Sequence, residues 1–251
     1  LDGQKTLGKS GGFFLERGIL LNVLALDTAG SHCGVGILRN DGRQFFCIEP
    51  SEQSHSRCIL QTVENLLHEA ALSLTDLQLL IWNAGPGSFT GIRIAASVVQ
   101  SLSYSLQIPF LSLSSLEILA YASVRAASAA NQWNAAKTVQ IKVAVDARMN
   151  GVYWASFIYE QGALRYIEED RLISREEFAA QRERVSGDTL IAGDAWPLAA
   201  QGAIVYARID NVMELGQMKP LHTWQHRAQD CLPHYVQSSI NWQKRTRFQT
   251  S

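Results

Sequence analysis

Cysteine is scarce in this sequence, and the four present are badly spaced for joint work. Cys33, Cys47, Cys58 and Cys231 never approach a C-x-x-C pattern, which argues against a disulfide framework or structural zinc and fits a reducing compartment. Long apolar runs are missing too: none reaches the length of a membrane span. The opening segment carries Lys5 and Lys9 but no long apolar core of a secretion signal. A cytoplasmic protein without membrane contact is expected. Nor is there an excess of charge of one sign. The 22 basic and 23 acidic residues leave a formal charge of −1, so no global field draws the chain to nucleic acid or to anionic lipid. The one basic cluster, Lys244, Arg245 and Arg247, reads as a solvated tail.

What is present is a globular composition. Of 251 residues, 47% are hydrophobic and 18% charged, enough for one large domain or two lobes. The first ten residues match a phosphate-binding pattern, from Gly3 through Gly8-Lys9-Ser10. Such a loop needs a strand before it and a helix after it. Leu1 and Asp2 supply no strand, and Gly11-Gly12-Phe13-Phe14 is a poor helix start. The match is read as spurious, and residues 1–18 as a disordered leader or tag-like segment.

From Leu20 the pattern becomes orderly. Leu20 to Leu26 reads as a buried strand closing at Asp27-Thr28, followed by a small turn, a strand from Cys33 to Leu38, a hairpin at Asn40-Asp41-Gly42 and a third strand from Gln44 to Ile48. A helix over Ser54 to Leu72 follows, with Ile59, Val63, Leu66, Leu67 and Ala70 at helical spacing. The second half repeats this syntax. Ile141 to Val145 closes at Asp146, Val152 to Ile158 returns, Glu160-Gln161-Gly162 turns, and Leu164 begins a third strand. Asp27 to Gly42 is fifteen positions and Asp146 to Gly162 sixteen, which points to a duplicated lobe. Lobes over 19–112 and 113–251 are expected. The order β-β-β-α with a strand-terminal Asp resembles the ribonuclease H-like lobes of the actin, sugar kinase and Hsp70 superfamily, in which that Asp holds metal-bound water. Beside this stands the simpler reading that Asp27 caps its own turn.

The stretch Leu79 to Ile94 carries an apolar strand into Gly85-Pro86-Gly87-Ser88-Phe89-Thr90-Gly91-Ile92-Arg93 and then a helix. Gly85 and Gly87 permit close backbone approach, and Ser88 or Thr90 can cap the helix. The loop could cradle an anion at a helix N-terminus, but it lacks a lysine, although Arg93 lies one turn in. A tight, capped connection explains it equally. The helix from Gly91 to Leu106 is apolar around most of its circumference, including Ile92, Ala95, Val99 and Leu102, so both of its sides need cover. The helix from Ser114 to Ala130 is similar.

Asp27-Thr28-Ala29, the Gly85 to Arg93 block, Asp146-Ala147-Arg148-Met149 with Val152-Tyr153-Trp154-Ala155, and Pro233-His234-Tyr235-Val236 with Asn241-Trp242 occur in one order. From about Leu20 to Lys244 the chain resembles the bacterial TsaB (YeaZ) family of threonylcarbamoyladenosine biosynthesis, once called glycoprotease-like. Asn150-Gly151 and Gly30-Ser31-His32 depart from that pattern, both in turns. The resemblance implies a non-catalytic scaffold and activator that pairs with a catalytic paralogue, TsaD. With the ATPase TsaE, that pair places threonylcarbamoyl on the adenosine beside the anticodon of tRNA. The paralogue's metal-binding H-x-x-x-H has its counterpart at His55 and Ile59, a single histidine, so no catalytic residue and no bound catalytic metal are expected here.

The resemblance also implies a degenerate nucleotide site at Asp27, Thr28, Gly85, Gly87, Ser88, Thr90 and Arg93. ATP or ADP is assigned to the complex, and no cofactor firmly to this chain. The partner interface is expected at His55, Ile59, Val63, Leu66, Leu67, Ile92, Ala95, Val99 and Leu102, where a charge at Val63 or Val99 should break the complex. Alone, the chain is expected to form a homodimer, and tRNA to reach it through the complex. Two alternatives stand beside this: a free-standing kinase or ATPase dependent on Asp27, and a metallopeptidase using His222 and His226, whose i, i+4 spacing would put both on one face of a helix. Gly87 to Gly91 is not G-x-S-x-G, because Ser88 comes one position early.

Overall fold

A computed structural model describes residues 21–50, 55–130, 138–148, 151–197 and 207–236, with the side chains of 55–58 excepted. The leader with its phosphate-loop match, Met149-Asn150, Asn241-Trp242 and the basic cluster at 244–247 lie outside the described residues.

Strand β1 (Val23–Asp27) is buried along its whole length, as its unbroken apolar run requires of a central strand. It pairs antiparallel with β2 (His32–Leu38), which pairs with β3 (Gln44–Pro50), and parallel with β4 (Leu79–Gly85). β5 (Phe110–Ser114) completes a five-stranded sheet in the order β3-β2-β1-β4-β5. Helices α1 (His55–Glu69) and α2 (Phe89–Leu106) cover one face. Alternation along β1 divides the core: Leu24 and Leu26 meet Ile59, Val63, Ala95 and Val99 on one face, while Val23 and Ala25 meet Ile118, Val212 and Met213 on the other. Ile118 belongs to α3 (Ser115–Ala129), and Val212 and Met213 to α5 (Ile209–Gln217).

The second sheet repeats the plan. β6 (Val139–Asp146), β7 (Gly151–Glu160) and β8 (Ala163–Ser174) form an antiparallel meander, and the short β9 (Leu190–Ala192) runs parallel to β6, giving the order β8-β7-β6-β9. α4 (Arg175–Arg182) follows β8 as α1 follows β3. The equivalence extends to the strand ends: Asp27 Oδ1 accepts from the Ala29 amide and Asp146 Oδ1 from the Arg148 amide, each at 2.9 Å. The duplication read in the spacing is therefore a duplication of topology.

One helix belongs to both sheets. Ile118 of α3 packs on the first, while its Leu116, Leu119, Ala120 and Val124 pack on Ile141, Val143, Ala155 and Phe157 of the second. Its all-round apolar character is answered inside the chain. α2 is different: Ile92, Ala95, Ala96 and Val99 are buried, but Phe89, Arg93, Ser97 and Tyr104 face outward and Ile94, Val98 and Leu102 are half-buried.

Candidate functional site

A cleft of about 360 Å³ opens between the two sheets. The turn after β1 supplies Asp27 and Ala29 to His32, the glycine loop supplies Pro86 and Gly87, and α3 supplies Ser115 and Leu119. Val145 comes from β6, Gly193 and Asp194 from the turn after β9, and Arg208 and Ile209 from the start of α5. A lobe-junction cleft of this size is where small ligands bind in many proteins.

Its floor is a closed network. Asp27 Oδ1 accepts from the Ala29 amide and from Asn83 Nδ2 at 3.1 Å. Asn83 Oδ1 in turn accepts from the Gly85 amide at 3.1 Å and from Ser115 Oγ at 2.7 Å. Burial raises the Asp27 carboxyl above its ordinary pKa, and the Ala29 and Asn83 bonds oppose this. Both readings of Asp27 thus meet at one residue: it caps its own turn, and it lines the cleft.

The glycine loop is pressed against that same turn. A side chain at Gly91 would place its Cβ 1.9 Å from Thr28 O, and one at Gly87 would come 2.4 Å from Ala29 O. These glycines are required by close backbone approach. The Ser88 amide donates to Ala29 O at 2.7 Å, the Gly91 amide to Ser88 Oγ at 3.2 Å, and Thr28 Oγ1 to Gly91 O at 2.7 Å. Two of the amides an anion could use at this helix N-terminus, those of Ser88 and Gly91, are therefore engaged by the chain itself.

The structure separates the seven residues expected around a nucleotide. Asp27 and Gly87 line the cleft. Thr28 and Ser88 stitch the loop to the turn, and Gly85 lends its amide to Asn83. Thr90 and Arg93 lie on a different surface, a groove of about 480 Å³ between α1 and α2. There the Arg93 guanidinium sits 3.6 Å above the Phe89 ring, and its Nε donates to Tyr235 Oη at 2.7 Å. Arg93 is thus a groove residue and no clamp for a ligand in the cleft.

The expected interface residues divide in the same way. Ile59, Val63, Leu66, Leu67, Ile92, Ala95 and Val99 are all buried and packed on the chain's own first sheet, and of these seven only Ile59 also lines the α1–α2 groove. Leu102 is half-buried, and the side chain of His55 lies outside the described residues. The periodicity marked the core face of each helix, and the opposite face is the accessible one. It carries Leu60 and Phe89, each 59% exposed, and Tyr104 at 72%. A charge at Val63 or Val99 would test the core and not an interface.

His222 and His226 do not share a helix. Leu221–Thr223 is a single 3-10 turn, Trp224 is extended, and Gln225 bridges to Phe110. No group of three or more metal-capable side chains occurs among the described residues. A cluster that sequence reasoning missed lies at the lobe junction. Asp170 Oδ2 accepts from Ser114 Oγ and contacts His234 Nε2 at 3.0 Å. The Pro233-His234-Tyr235 block was its visible half; Asp170 carried no signal.

A family model described as "TsaD: tRNA N6-adenosine threonylcarbamoyltransferase" matches residues 48–194. The "tRNA threonylcarbamoyladenosine biosynthesis protein TsaB" of Escherichia coli strain K12 is 31% identical over 70% of this chain and 72% of its own length. The protein of the same name from Haemophilus influenzae is 26% identical over 89% of this chain and 97% of its own. The solved structure titled "YeaZ from Pseudomonas aeruginosa" superimposes with a TM-score of 0.70 at 29% identity, covering 86% of this chain and 100% of that one. Another, "an uncharacterized protein with similarity to peptidase YEAZ" from the same organism, gives 0.73 at 29% identity, over 87% of this chain and all of that one. With two sheets of matching topology, a shared order of motifs and these relatives, the chain belongs to the family that the TsaD model describes, and within it to the TsaB proteins of tRNA threonylcarbamoyladenosine biosynthesis.

Proposed function

We propose that this chain serves tRNA threonylcarbamoyladenosine formation as a non-catalytic scaffold, holding a TsaD-type catalytic paralogue in a competent state. One observation carries the reading: an apolar groove lies open on the outer face of α1 and α2, while the glycine loop is closed against its own turn. Exposed apolar patches favour burial against a partner. The groove would receive the matching helices of the paralogue or, in its absence, those of a second copy about a two-fold axis. A TsaE-type ATPase would join this assembly in the cytoplasm, tRNA would meet the chain through the complex, and ATP or ADP would belong to the complex.

The junction cluster does not form a serine-nucleophile triad either. Ser114 and His234 both bond the same oxygen of Asp170, whereas a serine nucleophile needs the imidazole as its own base.

The test is size-exclusion chromatography with light scattering, on the chain alone and mixed with the cognate TsaD-type paralogue, using wild type and Leu60→Asp. The scaffold reading expects a stable mixed complex that L60D abolishes while remaining folded. A monomer indifferent to the paralogue would overturn it, and Asp27-dependent ATP turnover by the lone chain would replace it with the kinase or ATPase reading.

A further inference from the structure

After α5 the chain returns across the first lobe as a strap over residues 218–236. Gln225 exchanges backbone hydrogen bonds with Phe110 at 2.8 and 2.9 Å, and its Oε1 accepts from Ser112 Oγ at 2.8 Å. Cys231 Sγ reaches Ala96 O of α2 at 3.6 Å, and the His234 amide donates to Ala84 O of β4 at 2.8 Å. All of these anchors belong to the first lobe. The His234 side chain crosses to β8 of the second.

The acceptor there is unusual. Trp154 pairs with Arg171 and Ser156 with Glu168, so β8 carries one more residue than β7 across this step. Such a bulge re-aims a side chain, and Asp170 lies within it. Its side chain is 3% exposed. Oδ2 takes both Ser114 and His234, and Oδ1 is buried with no hydrogen-bond partner. A buried carboxylate short of donors depends heavily on the counter-charge it does have.

The surroundings provide little else. Glu169 of β8 adds negative potential at His234, and the Tyr166 phenol faces Asp170 and Ser114. Glu117 of α3 also faces Asp170 and Glu169, and Lys219 is paired to Glu117. On the strap's other side Tyr235 is held by Arg93.

We propose that His234 and Asp170 form a protonation-dependent latch that fastens the strap to the second lobe and, through Tyr235, steadies the Arg93–Phe89 end of the α2 groove. The Asp170 contact raises the imidazole pKa above its ordinary value, with burial opposing. A raised folded-state pKa contributes fully below the unfolded value of about 6.5, and is lost as pH climbs through the folded value. The latch is closed in mild acid and loosens on deprotonation, when the buried carboxylate loses its counter-charge.

The test uses the full chain and two readouts, from about pH 5 to about pH 9, the span over which imidazoles titrate. NMR follows the His234 ring, and hydrogen exchange, corrected for intrinsic rate, follows the His234 amide on Ala84 O. The wild-type ring should titrate above its ordinary value, and Asp170→Asn should lower that midpoint. Amide protection should fall on deprotonation, by about tenfold for every pH unit separating the two midpoints. His234→Gln should give low protection at every pH; this variant keeps the test decisive should D170N fail to fold. Protection that is flat across pH in wild type, or equal in wild type and H234Q at acid pH, would overturn the latch.

Discussion

At the scale of single residues, Asp27 and Gly91 hold the turn after β1 and the glycine loop together. Asp27→Ala removes the acceptor for two donors, the Ala29 amide and Asn83 Nδ2, and should cost about 1–3 kcal/mol in urea unfolding at neutral pH. Asp27→Asn keeps an acceptor oxygen and should cost less. The pH dependence separates them further. A buried acid with a raised pKa weakens the fold as pH rises above the ordinary carboxylate value of about 4. The stability of wild type relative to D27N should therefore decline from acid toward neutral pH, and a flat difference would contradict the burial argument. Gly91→Ala must displace Thr28 O; a loss of about 3 kcal/mol is expected from the overpacking alone, measured by the same unfolding. Asp27 and the glycine block were legible in sequence because strand ends and glycine loops leave local marks. Asp170 was not, since it lies 64 residues from His234 and is aimed by a bulge whose register exists only once β7 and β8 pair.

At the scale of elements, helical periodicity marked α1 and α2 and the face of each that packs on the sheet. An apolar stripe says which side is buried, but not whether by a partner or by the chain's own sheet. The sheet claimed Val63 and Val99, leaving the sparser outer face with Leu60, Phe89 and Tyr104. The contrast is testable in one pair of variants. Val99→Asp places an unpaired charge in the core and should unfold the chain, through losses of several kcal/mol. Leu60→Asp should leave the unfolding free energy within about 0.5 kcal/mol of wild type while abolishing association in light scattering. Equal stability losses in both would mean that the outer face is also structural.

At the scale of the whole molecule, the matched spacings of Asp27 to Gly42 and Asp146 to Gly162 pointed to two lobes of one plan, and the four strands of the second sheet follow the order of four of the five in the first. The sequence held no comparable sign that α3 would be shared, because an all-round apolar helix does not say what surrounds it. Its opposite faces are buried in the cores of both sheets, and Arg125 and Tyr121 tie it to Glu214 of α5. Calorimetry should accordingly show one unfolding transition for the described body, with Leu116→Ala lowering it as a unit at a cost of about 2–5 kcal/mol. Two separable transitions would show that the lobes stand independently.

The shared helix also bears on how the cleft can behave. Closing two lobes around an occupant needs a hinge that bends, or packed helices that slide past one another. A helix gripped on both sides has no free surface on which to do either. The gap between the sheets is then a fixed gauge, set when the core packs: it would admit an occupant by size, and would not tighten around one that is too small.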